Sequence, residues 1–119
     1  SFDAGVAPAL LRNPKLSRAV AAVLEHPAVA HTVATMALEA GMSRSAFARD
    51  FKAALLATPM EFVIRARLAH ARRLLLSTGH SVATVGSIVG FLSRSHFSRS
   101  FRSFYGIDPS SFRRSRQDK

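Results

Sequence analysis

From residue 14 onward, apolar residues recur at helical spacing in short runs broken by Gly, Pro and Ser. Asn13-Pro14 reads as a helix start, with Asn as N-cap and Pro in the first turn. Leu16, Val20, Val23 and Leu24 then mark one apolar face, and Pro27 closes that helix near His26. Thr32 is placed to cap a second helix, with Val33, Met36, Ala37 and Ala40 on its apolar side. Gly41 suits the left-handed residue past its end. Ser43 caps a third helix, in which Phe47, Phe51 and Leu55 form an i, i+4, i+8 stripe. Pro59 opens a long fourth helix, whose inner side carries Phe62, Ile64, Leu68, Ala71, Leu74 and Leu75 before Gly79 ends it. Ser81 caps a fifth helix with Val82, Val85, Ile88 and Val89, ended by Gly90. Ser93 caps a sixth with Phe97, Phe101 and Phe104. Gly106 and Pro109 precede a short last helix holding Phe112. Strand alternation is absent, so the fold class is all-α with about seven helices.

The pattern repeats. Thr32–Phe62 and Ser81–Phe112 align at an offset of 49, which becomes 50 after one inserted residue near Leu92. Val-Ala-Thr, Gly, Ser-Arg-Ser, Phe, Arg, Phe and Pro recur in register. Each copy is helix, tight turn around Gly, helix: the helix-turn-helix arrangement, whose second helix enters the major groove of DNA. The matched small residues Ala37 and Gly86 fall where two helices would cross closely. The predicted architecture is two helix-turn-helix subdomains joined by a long central helix. The first unit spans about 32–55, the linker helix about 60–78 and the second unit about 81–105. Residues 1–12 lack a period and read as a linker remnant from a missing upstream segment, leaving 13–119 as the domain. The fourth helix, about Met60 to Ser77, would span roughly 27 Å. That suits two reading helices set about one DNA turn apart.

Charge sharpens this picture. Seventeen Lys and Arg against seven Asp and Glu give a net charge of +10 on 119 residues, which implies an anionic partner. Cysteine is absent, so disulfides and Cys-based zinc sites are excluded. No apolar run approaches the ~20 residues of a spanning helix, and no signal peptide is visible. The absence of Cys suits a cytosolic protein.

The basic residues sort onto helix faces. On the third helix, Ser45, Ala48, Arg49 and Lys52 lie opposite the Phe stripe, and on the sixth Ser95, Ser98, Arg99 and Arg102 do the same. Small neighbours let a helix backbone approach base edges, where Arg binds guanine O6 and N7 in bidentate fashion. Arg49 and Arg99 occupy equivalent positions and are the best candidates for base reading. Ser43 and Ser93 serve first as caps, with amides nearby that favour phosphate. Arg44 and Arg94 lie in the first turns, within reach of phosphate. Asp50 opposes this theme and is expected to pair with a neighbouring helix. Arg65, Arg67, Arg72 and Arg73 on the linker helix either touch the DNA backbone or lay their stems on apolar surface.

Three stretches carry a resemblance to a known family: EAGMSRSAFARDFKAALLATPMEFV in the first unit, RLAHARRLLLSTGHSV from Arg67 to Val82, and GFLSRSHFSRSFRSFYGIDPSSFR from Gly90 to Arg113. Together they resemble the AraC family of bacterial transcription regulators over about residues 15–115. The resemblance implies seven helices, with the fourth joining two subdomains. It places base-reading positions at Ser45, Ala48 and Arg49, and at Arg94, Ser95, Ser98 and Arg99. Beside them, the helix starts and basic faces make Ser43, Arg44, Lys52, Ser93 and Arg102 the expected phosphate-side residues. It also implies an N-terminal sensor and dimerisation domain, so this chain fits an isolated C-terminal half, expected to be a monomer. Three positions depart from the family pattern. Leu56 stands where the second unit has Gly106, so the third helix is expected to end differently. Gly86 replaces the usual Ala, loosening the fifth helix by roughly 1 kcal/mol of propensity. Ala48 cannot hydrogen-bond a base, which shifts weight to Arg49 and to thymine methyl contact.

The expected function is sequence-specific binding of duplex promoter or operator DNA in two successive major grooves, to regulate transcription, with RNA polymerase as a further partner. The alternative is a basic helical adaptor, or a module for anionic membrane surfaces. An enzyme is not expected: His26, His31, His70, His80 and His96 lack metal-ligand spacing, the carboxylates are dispersed, and no phosphate loop is present. No cofactor, metal or membrane partner is expected. His96 reads as a packing or capping residue beside Phe97.

Overall fold

The computed structural model describes residue 8 and residues 12–117. The expected linker, residues 1–12, lies outside the described residues apart from those two positions. Within residues 13–117 there are seven helices and no strand: α1 Pro14–Glu25, α2 Val33–Ala40, α3 Arg44–Leu55, α4 Pro59–Ser77, α5 Val82–Ile88, α6 Arg94–Tyr105 and α7 Pro109–Gln117. The chain divides into two compact units, Ser1–Ala66 and Arg67–Lys119, and α4 runs unbroken from one into the other.

The helix starts follow local chemistry. Side-chain oxygens of Thr32, Ser43, Ser81 and Ser93 accept hydrogen bonds from the N3 amides of α2, α3, α5 and α6. Thr32 and Thr35 cap reciprocally. Thr58 and Asp108 cap α4 and α7 at matched places, each followed by Pro at the first helical position. Asn13 holds the N-cap position of α1, but its side chain makes no capping bond.

The helix ends repeat as well. Met42 N–H donates to Ala37 C=O at 2.9 Å, and Gly41 N–H to Leu38 C=O at 3.0 Å. In the second copy Phe91 N–H donates to Gly86 C=O at 3.0 Å, and Gly90 N–H to Ser87 C=O at 3.1 Å. These are two Schellman closures with Gly41 and Gly90 at positive φ. Leu92, the inserted residue, follows the second closure and is fully exposed. The third helix was expected to end differently from the sixth, and it does not. Leu56 adopts φ 59 and its N–H caps Lys52 C=O, as Gly106 at φ 77 caps Arg102 C=O.

Each unit has its own core. In the first, Leu16, Val20, Val23, Met36, Ala37 and Phe47 pack with Phe51, Phe62 and Val63. Phe47–Phe51 and Phe51–Phe62 ring centroids lie 5.4 and 5.5 Å apart. In the second, the residues fifty places on repeat that triad: Phe97–Phe101 at 5.9 Å and Phe101–Phe112 at 5.6 Å. Such tilted and edge-on pairs add to area burial.

Three residues assigned to apolar faces are exposed instead: Leu24, Ile88 and Phe104. Each sits in the last turn of its helix, where the periodic face outruns the neighbour that would cover it. At the end of α6, Tyr105 rather than Phe104 packs on Phe101, 4.6 Å between centroids.

Candidate nucleic-acid interface

Helical geometry fixes what α3 and α6 present outward. In each twelve-residue helix two Phe residues are fully buried, and the Arg midway between them is the sixth residue. Two residues along a helix is about 200° around the axis, so Arg49 and Arg99 point away from the cores. Both are exposed. In the first unit Ser45 and Lys52 are exposed beside Arg49, with Ala48 half-buried. In the second, Ser95 and Arg102 are exposed beside Arg99, with Ser98 half-buried, and Arg94 is exposed at the helix start. Each unit thus gathers these residues on one outer face, except Arg94, which opens α6 about 140° around the axis from Arg99.

The flanking residues take defined places. Ser43 Oγ accepts from Ala46 N–H at 3.2 Å, and Ser93 Oγ from His96 N–H at 3.1 Å. Their hydroxyls therefore act as caps at the helix start, where free amides favour an anion. Arg44 and Arg94 open the two helices and are exposed. Lys52 and Arg102 lie in the last turns, at the opposite end of each face. His96 lies edge-on to Phe91, 5.2 Å between ring centroids.

Among the described residues, Asp50 pairs within α3. Its Oδ1 accepts from Arg49 Nε–H at 3.2 Å, on its own helix. Adjacent residues on a helix project about 100° apart, so periodicity gives no hint of this pair. Arg99 is held differently: its Nε–H donates to Ser95 C=O at 3.3 Å. Acidic residues are absent from α6, and Asp50 is the single one in α3.

On the linker helix, Arg72 is committed to packing. Its guanidinium lies 6.0 Å from the Tyr105 ring centroid and 5.5 Å from that of Phe112. Burial raises the Tyr105 phenol above its ordinary value, against the pull of Arg72 and Arg73. Sequence reasoning missed Arg113. Its Nε–H donates to Leu75 C=O at 3.1 Å and its Nη2 to Thr78 C=O at 3.3 Å, while Nη1 reaches His80 C=O. One guanidinium on α7 thereby closes the C-terminal end of α4. Among the described residues no group of three or more His, Asp or Glu is gathered as a metal would need.

Known proteins share this arrangement. The helix-turn-helix domain family matches residues 36–115. The HTH-type transcriptional regulator GbdR of Pseudomonas aeruginosa is 36% identical over 100 residues, covering 82% of this chain and 26% of that protein. A solved transcriptional regulator of the AraC-type DNA-binding domain-containing proteins, from Chromobacterium violaceum, is 32% identical with a TM-score of 0.83, covering 88% of this chain and 94% of that one. The DNA-binding domain of AdpA, a global transcriptional factor solved in complex with a target DNA, is 34% identical with a TM-score of 0.80, covering 84% and 90%. The chain spans 26–35% of the length of the first curated relatives it matches. With matched caps, matched closures and matched Phe triads in its two copies, the chain belongs to the helix-turn-helix domain family in its AraC-type form.

Proposed function

We propose that this chain binds duplex DNA sequence-specifically, with α3 and α6 in two successive major grooves, and thereby regulates transcription. One observation carries the reading: two repeated helices each present an exposed Arg at the sixth residue, opposite a buried Phe pair. Arg49 and Arg99 read guanine, with Ser45, Ala48, Arg94, Ser95 and Ser98 as the surrounding base-side surface. Ser43, Arg44, Lys52, Ser93 and Arg102 face phosphate and supply much of the affinity.

The family is one of regulators, and we assign this chain no catalysis. In the proposed setting it acts as a monomer in the bacterial cytoplasm, at the nucleoid, with RNA polymerase as a further partner. Among the described residues no helix is long and apolar enough to cross a membrane. The adaptor and membrane-surface alternative finds no support among the relatives.

Selection of binding sites from a random duplex pool, followed by titration at two salt concentrations, tests the proposal. Two base clusters about one turn apart are expected, bound at least ~10³-fold tighter than scrambled DNA. Arg99→Ala is expected to cost ~1–3 kcal/mol on the selected site and much less on scrambled DNA. No enrichment, with binding that vanishes as salt rises, would leave only a nonspecific polycation.

A further inference from the structure

We infer that Asp50 is a positioning residue for Arg49, and that it makes base reading by α3 conditional on the right base. The inference rests on the DNA-reading role of Arg49 proposed above. Asp50 Oδ1 engages Nε–H of Arg49 at 3.2 Å. A guanidinium carries five N–H donors, so both terminal amino groups remain free as an end-on fork. That fork matches O6 and N7 of guanine.

The second copy sharpens the point. Arg99 is also held at Nε, by Ser95 C=O at 3.3 Å, and the position equivalent to Asp50 is Ser100. Both arginines are restrained at the same atom. The restraint carries negative charge only in the first unit.

That charge has two opposed effects on DNA. A carboxylate on a face approaching a polyanion weakens binding to every duplex. A carboxylate paired with Arg49 is neutralised, and the pair strengthens as the groove excludes water. On a matching duplex Arg49 satisfies guanine and Asp50 together. On a mismatched duplex the guanidinium loses its base partner and swings toward phosphate, leaving Asp50 unpaired among acceptors. Mismatch is then penalised beyond the lost base contact, which is how specificity is raised without raising affinity. In the free protein the side chains are 74% and 42% exposed, so the pair adds little to folding.

The test uses the whole chain and four proteins: unchanged, Asp50→Asn, Arg49→Ala and the double variant. Each is titrated with the selected duplex and with scrambled duplex, and each is melted. Asp50→Asn is expected to tighten scrambled binding several-fold while leaving selected-site binding nearly unchanged, lowering the ratio about fivefold. With Arg49→Ala present, Asp50→Asn is expected to tighten both duplexes alike. Melting temperature is expected to stay the same for Asp50→Asn, which separates positioning from a folding role. Equal tightening of both duplexes with Arg49 in place would overturn the inference and leave simple repulsion. If Arg49→Ala alone leaves the ratio unchanged, the reading role of Arg49 fails, and the role of Asp50 fails with it.

Discussion

The backbone of Gly86 lies against the ring of Phe97: a Cβ built on Gly86 would stand 2.7 Å from Phe97 Cδ2, 3.0 Å from Cγ and 3.2 Å from Cβ. The contact joins helix α5 to helix α6. The matched position in the first unit, Ala37, carries the methyl group that this crossing excludes. Gly86→Ala would gain about 1 kcal/mol of helix propensity. It would also push a fully buried ring packed on Phe91 and Phe101, and overpacking of that kind costs about 1–3 kcal/mol. A net loss of about 1 kcal/mol is expected in urea unfolding, together with weaker selected-site binding as α6 shifts. Stabilisation with unchanged binding would show that the ring has room to move.

Leu56 holds a left-handed backbone at φ 59 and is 81% exposed. That conformation costs a residue with a Cβ roughly 1–2 kcal/mol, and little burial offsets it. Part of the gain from glycine returns as unfolded-chain entropy. Leu56→Gly is expected to stabilise the first unit by about 0.5–1 kcal/mol, read as a higher thermal midpoint. The reverse change in the second unit, Gly106→Leu, is expected to lower it.

Arg113 satisfies the Leu75 carbonyl in the last turn of α4, which the helix cannot satisfy within itself, and two carbonyls just beyond its end, at Thr78 and His80. Arg113→Met keeps the aliphatic stem and leaves the Leu75, Thr78 and His80 carbonyls without this donor. A loss of about 1–3 kcal/mol in the second unit is expected from equilibrium unfolding. Arg113→Lys restores charge but not the planar fork, so only partial recovery is expected. Full recovery by Lys would mean that charge at the helix end suffices.

Asp108 gives a pH test. The Ser111 N–H, donating to Oδ1 at 2.9 Å, and the Ser111 hydroxyl, donating to Oδ2 at 3.0 Å, hold its carboxyl below the usual aspartate value. The folded state therefore favours the ionised form. Its stabilising effect is complete above the unfolded value, near pH 4, and is lost as pH falls through the lower folded value. Melting between pH 7 and pH 3 is expected to show a shallower acid decline for Asp108→Asn, from a lower starting point. Identical slopes would locate the acid sensitivity elsewhere.

The elements that sequence made legible are those set by near neighbours. Thr32, Ser43, Ser81 and Ser93 sit within three residues of the amides they cap, and Gly41 within five of the carbonyls that close its turn. The duplication was legible because the same caps, glycines and Phe spacings recur. What stayed hidden depends on distance or on extent. The partners of Arg113 are 33 to 38 residues away. Ile88, Leu24 and Phe104 keep the right period, but periodicity names a face and does not say how far a neighbour covers it. Leu56 follows glycine's backbone without being glycine, so residue type misreported the helix end. The Arg49–Asp50 pair escaped for a further reason: a long side chain folded back to a residue that helical spacing sets apart.

The added residue Leu92 separates the second turn closure from the cap at Ser93, whereas Met42 alone separates Gly41 from Ser43. The two copies have matching cores and differ in how α3 and α6 are launched. They are not interchangeable, so a duplex that fits them differs when read from its two ends. On the proposed two-groove reading the bound chain therefore has a heading. Turning a site end for end within a promoter would turn the protein with it, at the same affinity and through the same contacts. Orientation then becomes something a promoter can encode separately from occupancy.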